Sequence, residues 1–531
     1  MPAKAERNLA VGMWGIVVAV GAVVLLLIAG LSLFPRLTAG QAVLDGLRPA
    51  FNTQRVAGDR AGINAVSKLV DAADPIVTAQ GGAVGEVPQL VAFVSSKTGL
   101  TPTEVLGALQ TNFPHTTALL QAIPLESVTS ELPSLEAFLS KVLNVTPDQL
   151  ASALGTNFPH LAQAITALPT VTSGWITVPG TENLTRFDGT PVRSVPDIRT
   201  YFSSDVIPVL ESQRANFQQL DSGFPPVGSI APILTVIGAV VVVYGLLMML
   251  LFSRRRIRGV TSAASWGVVV LVGVVVLVLV GVGNLFPRLY GGQDLLNAAA
   301  PAFTTERVTG DVAGIKMVST VVDLADPIMT TQGGASSEVP QLIAFVSSKT
   351  GLSPAQVLAT LQTNFPHTTA LLQAIPLDSI SAELPRLITF LATTLNTTPA
   401  QVQAALGANF PHLSQSIAAL PVVTSIWGNV PGSQGFTRFD GTPISTVPDV
   451  RTYFAHDVIA AVAQVQSNFE TLDLTPPEII VFPPLLTIVG AAVVIYGLLL
   501  IVLWPRLPFG PAPARTKRPG AGAVSRTATP S

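Results

Sequence analysis

The stretch Thr101–His115, TPTEVLGALQTNFPH, recurs as Thr146–His160, Ser353–His367 and Thr398–His412. His115 and His160 are 45 residues apart and His115 and His367 are 252 apart, so a short repeat is nested within a long one. The longer offset also holds for landmarks outside the short repeat. Trp14 matches Trp266, Phe34-Pro35-Arg36 matches Phe286-Pro287-Arg288, Asp188 matches Asp440, and Tyr244 matches Tyr496, with no insertion or deletion between them. The chain therefore reads as a pseudo-dimer on one polypeptide, whose two halves are expected to contact each other or a symmetric partner.

Each half opens and closes with an apolar run: residues 11–34 and 231–252 in the first, 264–286 and 483–504 in the second. A bilayer is crossed by about 20 residues of helix, whose backbone must satisfy itself there. Four transmembrane helices are predicted. None contains Asp, Glu, Lys, Arg or His, which marks them as anchors and not as an ion or proton path. A chain that is 49% hydrophobic and 11% charged fits a membrane class. Thr235, Gly238, Ala239 and Gly245, with Thr487, Gly490, Ala491 and Gly497, occupy one face of the second and fourth spans, and close packing through those faces is predicted.

Positive charge sets the orientation. Lys4 and Arg7 precede the first span, Arg254, Arg255, Arg256 and Arg258 fill the link 253–263, and Arg506, Arg515, Lys517, Arg518 and Arg526 follow the fourth. Residues 1–10, the link and the tail 505–531 are thus expected in the cytoplasm, so both termini are cytoplasmic. The long segments 35–230 and 287–482, each with more Asp and Glu than Lys and Arg, are expected on the other side. The first run is longer than the apolar region of a cleaved signal and has an internal counterpart, so it reads as a retained anchor. The tail reads as disordered. Heavy use of Ala, Pro and Gly points to a bacterial plasma membrane.

The fold class expected is all-α: four transmembrane helices and two duplicated extracytoplasmic helical domains, each with two tandem 45-residue, three-helix modules (87–131 and 132–176; 339–383 and 384–428). Two further helices near the start of each long segment are separated by a break between Pro49 and Thr53, and Pro75 is expected to end the second. In the modules, Gly99 and Asn144 stand where a helix closes with positive φ. Thr101-Pro102-Thr103-Glu104 and its three copies carry the pattern of a capping box with proline at the first helical position. In NFPH the residue before proline is pushed out of the helical region. Phe113 should break the helix and drop its ring into the core, Asn112 should take the left-handed position, and His115 should lie in the next first turn. The helix carrying Ile198, Phe202, Val206, Leu210 and Phe217 is expected to pack on its own domain.

Candidate chemistry is sparse. His115, His160, His367 and His412 all belong to NFPH, and two per segment raise the question of a metal site, imidazole being the commonest ligand. Each also belongs to a helix joint with a packing reason to repeat, and no HExxH accompanies them. Asp71 and Asp74, mirrored by Asp323 and Asp326, share a helical edge where paired carboxylates can share a proton or a cation; a solvated face is the alternative. RFDGTP lacks the acidic ladder of a calcium loop and reads as a hairpin or clasp. No GxSxG, GxxxxGK[ST] or dinucleotide GxGxxG occurs. With no cysteine there is no thiolate chemistry, and a net charge of −2 offers nucleic acid no basic field. No catalytic, cofactor-binding or metal residue is assigned, and no cofactor.

The function expected is that of a non-enzymatic multipass protein of the cell envelope. It would display helical domains for binding or scaffolding, with the lipid bilayer and an envelope protein, peptide or lipid ligand as partners. An accessory or substrate-binding subunit of a transporter is the alternative, and a metal-dependent envelope enzyme using the NFPH histidines is the second.

Overall fold

The computed structural model describes residues 2–77, 82–123, 125–253, 261–330, 334–375, 377–473 and 478–503. The tail 505–531 and most of the basic link, including its arginines, lie outside the described residues. Helix makes up 83% of the structure, and no strand occurs among the described residues. The first half runs α1 (Pro2–Gly30), α2 (Leu33–Leu47), α3 (Thr53–Val77), α4 (Ala83–Thr98), α5 (Pro102–Asn112), α6 (Pro114–Ala122), α7 (Leu125–Leu143), α8 (Pro147–Asn157), α9 (Pro159–Gly174), α10 (Val195–Tyr201), α11 (Ile207–Asp221) and α12 (Val227–Ser253). The second runs α13 (Thr261–Val282), α14 (Leu285–Ala299), α15 (Thr305–Met329), α16 (Ala335–Thr350), α17 (Pro354–Asn364), α18 (Pro366–Ala374), α19 (Leu377–Thr394), α20 (Pro399–Asn409), α21 (Pro411–Trp427), α22 (Val447–Thr452), α23 (Ile459–Asp473) and α24 (Phe482–Leu503). A π-helical turn joins α10 to α11 at Phe202–Val206 and α22 to α23 at Tyr453–Val458.

The chain divides into two compact units. The first comprises Met1–Ala42, Asn216–Leu296 and Thr471–Ser531, and the second Val43–Ala215 and Asn297–Glu470. Among the described residues the first unit holds four helices long and apolar enough to cross a membrane: Val11–Gly30, Val227–Ser253, Ala264–Val282 and Phe482–Leu503. The first and third stop short of Phe34 and Phe286 because Ser32 and Asn284 adopt positive φ, 50° and 49°, and turn the chain into α2 and α14.

Within this unit α1 and α12 form an antiparallel hairpin, as do α13 and α24. The small-residue faces are the contact surfaces. A Cβ added at Gly238 would stand 3.0 Å from Leu25, and one at Gly245 would stand 2.8 Å from Val18. Gly490 and Gly497 make the equivalent approaches to Leu277 at 3.0 Å and Val270 at 2.7 Å. The second and fourth spans thus use these faces against the preceding span of their own hairpin, where close backbones gain dispersion contacts that lipid cannot outcompete. The two hairpins meet where Trp14 and Trp266 stack with ring centroids 4.1 Å apart. Tyr244 donates to the Ser265 carbonyl at 3.1 Å and Tyr496 to the Met13 carbonyl at 2.9 Å, each from one hairpin to the other. Arg288, only 2% exposed, donates from its two terminal nitrogens to the carbonyls of Leu220 and Pro225 at 3.0 Å, which places a buried cation at the carbonyl end of α11 while its Nε has no partner.

The second unit takes in most of both long segments, and among the described residues its buried apolar clusters each draw on both halves of the sequence. α3 lies along α21, α15 along α9, and α6 against α18, so each of these pairings joins one half of the sequence to the other. Val70, Trp175 and Ile198 share a core with Val322, Trp427 and Val450. Ile198 therefore does not pack on its own segment alone, since it also lies against Gly314 of α15.

Pro75 does not end its helix, which continues to Val77. A proline removes the donor that would bind the carbonyl four residues back. That carbonyl, of Asp71, accepts instead from the Gln415 side chain at 3.1 Å. The equivalent carbonyl of Asp323, four residues before Pro327, accepts from Gln163 at 2.9 Å. The helix survives because the opposite half supplies the missing bond.

Candidate functional site

Each NFPH joint is assembled from local grammar first. Thr101 accepts from the Glu104 amide at 3.3 Å while Glu104 accepts from the Thr101 amide at 2.8 Å, and reciprocal pairs occur at Thr146–Gln149, Ser353–Gln356 and Thr398–Gln401. Gly99 and Asn144 have φ of 74° and 55°, as expected for helix closure. Asn112 does not take the left-handed position. It stays helical with its side-chain amide donating to the Ala108 carbonyl at 2.7 Å, and the break falls on Phe113 at φ −139° and ψ 62°. The following proline imposes that break, so no left-handed residue is needed.

Breaking there leaves a helix N-terminus whose first amides have no partner in their own helix. In all four joints a glutamate from the other half of the chain supplies it. Glu383 accepts from the His115 amide at 3.4 Å and from the Thr116 amide and hydroxyl at 2.8 Å each. Glu131 does the same for His367 at 3.2 Å and Thr368 at 2.8 Å. Glu338 accepts from the amides of His160 at 3.2 Å and Leu161 at 2.8 Å, and Glu86 from those of His412 at 3.2 Å and Leu413 at 2.8 Å. A carboxylate on a helix N-terminus is favoured both by the free N–H groups and by the dipole. The phenylalanines cross over in the same way: Phe113 packs on Phe390, Phe158 on Phe345, Phe365 on Phe138 and Phe410 on Phe93, with centroids 5.4–6.1 Å apart.

The four histidines lie in first turns as expected, and three have Nδ1 committed. His115 donates to the Gln373 carbonyl and His367 to the Gln121 carbonyl, both at 2.9 Å, a reciprocal pair across α6 and α18. His160 Nδ1 lies 2.8 Å from Glu338. Because a carbonyl or carboxylate oxygen only accepts, the proton sits on Nδ1 in these rings. No cluster of three or more His, Asp or Glu able to hold a metal ion occurs among the described residues.

The paired aspartates have separate partners. Asp71 pairs with Arg199 at 3.0 Å and Asp74 accepts from the Trp175 indole at 2.8 Å, while Asp323 pairs with Arg451 at 2.7 Å and Asp326 accepts from Trp427 at 3.0 Å. RFDGTP forms a tight loop around Gly189, with Arg186 bidentate to Asp205 at 3.1 and 2.8 Å. It clasps the opposite half. Arg307 donates to the Arg186 carbonyl at 3.1 Å, and Arg55 to the Arg438 carbonyl at 2.8 Å. Gly58 lets this happen on one side, since a Cβ there would fall 2.3 Å from the Phe436 ring.

Under each clasp lies a carboxylate that the sequence did not single out as a site. Asp59 is 4% exposed and faces Tyr453 and Arg55 of its cluster, while Asp311 faces Tyr201 and Arg307. Burial pushes both carboxyls up to about 7, against the pull of the neighbouring tyrosine and arginine. The consequence for stability has a definite sign. An unfolded aspartate loses its proton near 3.8, so between there and about 7 the folded chain holds protons that the unfolded chain has released. Stability should fall as pH rises across this window, by about 1.4 kcal/mol per pH unit per residue, and level off above it. Asp59→Asn/Asp311→Asn should flatten that slope in thermal melts. Melting curves for variant and parent that run parallel from pH 5 to 8 would remove the titration from these two residues.

The capping glutamates carry a periodic signal of their own in the sequence. Glu86-Val87-Pro88, Glu131-Leu132-Pro133, Glu338-Val339-Pro340 and Glu383-Leu384-Pro385 recur at the same two offsets as the histidines. Comparison with protein families, with curated proteins and with solved structures found no match to this chain.

Proposed function

We propose that this chain is a non-enzymatic, multipass protein of the cell envelope. In this reading both termini face the cytoplasm and the two duplicated long segments form a single extracytoplasmic body for binding or scaffolding. The observation that supports it most directly is the set of four crosswise glutamate caps. The residues that recur with the regularity of a site are committed to joining the halves, and three of the four imidazoles already donate from Nδ1. Recognition then falls to the clefts between helices. One lies among Leu119, Ile123, Leu384, Ile388 and Leu420, is almost wholly apolar, and encloses about 70 Å³. At that size it admits no more than one apolar side chain of a partner helix or peptide, or the end of a lipid tail, in preference to a polar metabolite.

Proximity labelling from the body in the native cell, combined with protease shaving of intact cells, tests the reading. The expected result is loss of the body on shaving and enrichment of envelope proteins among the labelled partners. A body that shaving spares and that labels cytosolic proteins would reverse the orientation and end the proposal. Enrichment of one transport complex would favour the accessory-subunit alternative.

A further inference from the structure

We infer that the four membrane helices hold one bilayer lipid by an acyl chain, in a cavity between the two hairpins. The inference rests on these helices spanning a bilayer and on nothing about the second unit. The cavity, about 570 Å³, is lined by all four helices, with Val20, Val241, Val272 and Val493 among its walls, and opens outward where Ile16, Val23, Val240 and Ile488 are exposed. Val20 and Val272 are separated by the offset of 252 residues, as are Val241 and Val493. The cavity therefore belongs to the junction of the halves and not to one hairpin. It begins beside the Trp14–Trp266 stack, where the hairpins touch, and its wall on α1 runs from Ile16 to Val23, about 10 Å of helix.

The chemistry of the walls selects the occupant. The tyrosines in the lining, Tyr244 and Tyr496, direct their hydroxyls to the Ser265 and Met13 carbonyls. A quinone head or an amide placed in the cavity would be left without a partner, at the full cost of a buried polar group. Water is excluded for the same reason, since apolar cavities with no polar partners stay dry. An empty space of this size would deprive its lining of dispersion contacts. β-branched side chains on helices are stiff at χ1, which keeps the valine walls from collapsing inward. A lipid tail is as apolar as those walls and is present at solvent concentration, so mass action fills the cavity with an acyl chain before any scarcer hydrocarbon. Walls on all four helices separate this chain from ordinary boundary lipid.

The test uses the full chain reconstituted into phosphatidylglycerol vesicles with palmitoyl and oleoyl chains, supplemented with a polyprenyl phosphate, then extracted in mild detergent and weighed intact by native mass spectrometry. One phospholipid per chain should survive detergent exchange. Val20→Phe/Val272→Phe, which fills the cavity from both sides, should lower the retained fraction about tenfold, the equivalent of 1.4 kcal/mol. Leu26→Phe, at a side chain 69% exposed on α1, should leave it unchanged. If the phenylalanine pair does not fold, Val241→Leu/Val493→Leu is the milder filling and should lower retention in the same direction. No phospholipid on the parent chain, a polyprenyl adduct in its place, or unchanged retention in a folded filled variant would each overturn the inference.

Discussion

Glu131→Ala/Glu383→Ala is expected to destabilise the helical body by about 4–8 kcal/mol, a loss comparable to the whole stability of an ordinary domain. Each of these carboxylates accepts from two backbone amides and a threonine hydroxyl in the opposite half. Removing one leaves the first turn of α18 or α6 with donors that have been taken out of water and have no alternative partner. The cost of such orphaned groups is about 1–3 kcal/mol each, which is larger than the net value of the bonds themselves. The two sites flank the same α6–α18 contact, so the double variant should differ from the sum of the single ones. Glu104→Ala supplies the comparison. Its carboxylate caps a helix within its own segment at an exposed position, where water replaces the lost partner, so losing it should shift the melt far less than the double variant does. Thermal melts of the purified chain, read alongside limited proteolysis, give the ranking directly. A double variant that melts like Glu104→Ala would mean that the crosswise caps contribute nothing beyond local helix capping.

The contrast between the crosswise caps, Glu131 and Glu383, and the local one, Glu104, shows what the residues state and what they do not. Capping boxes, the positive φ at Gly99 and Asn144, the break at Phe113 and the four apolar spans all depend on groups within a few residues of one another. The sequence states such relations outright. Asn112 and Pro75 depart from the local expectation for opposite reasons. At Asn112 a stronger local rule, the proline after Phe113, had already made the break. At Pro75 a distant one, Gln415 reaching the Asp71 carbonyl, kept a helix that local rules would stop. The candidate site followed the same division. The histidines are visible as a repeat, whereas the glutamates that complete their joints sit in the other half of the chain. Glu86 and Glu338 have nearly the same neighbours, as do Glu131 and Glu383. A duplicated sequence therefore cannot say whether Glu86 caps the helix of His160 or that of His412. Only the three-dimensional pairing chooses, and it chooses His412.

That choice leads to the second large effect: residues 1–258 expressed alone should assemble as a homodimer, and co-expression with 259–531 should give a one-to-one complex instead. Every residue needed for the crosswise contacts is present in the first half by itself. Glu86 can take the His160 helix of a second copy and Glu131 that of His115. Arg55 can reach the RFDGTP loop through Arg186, and Asp59 can face Tyr201. A lone copy would leave α3 and α9 without the helices they lie along in the intact chain, α21 and α15, and would expose the core residues of both. The alternative is closure within one copy, with Glu86 folding back onto its own His160. Loop closure favours a partner close in sequence over one far away by only a slowly varying term. The intact chain offers both partners with almost identical side chains and uses the distant one at all four joints, so the intervening helices must hold the near partner out of reach. Native mass spectrometry of the half-chain distinguishes the cases. A folded monomer with the helicity of the parent would show that crosswise pairing is optional, and that the two halves are neighbours that need not be each other's core.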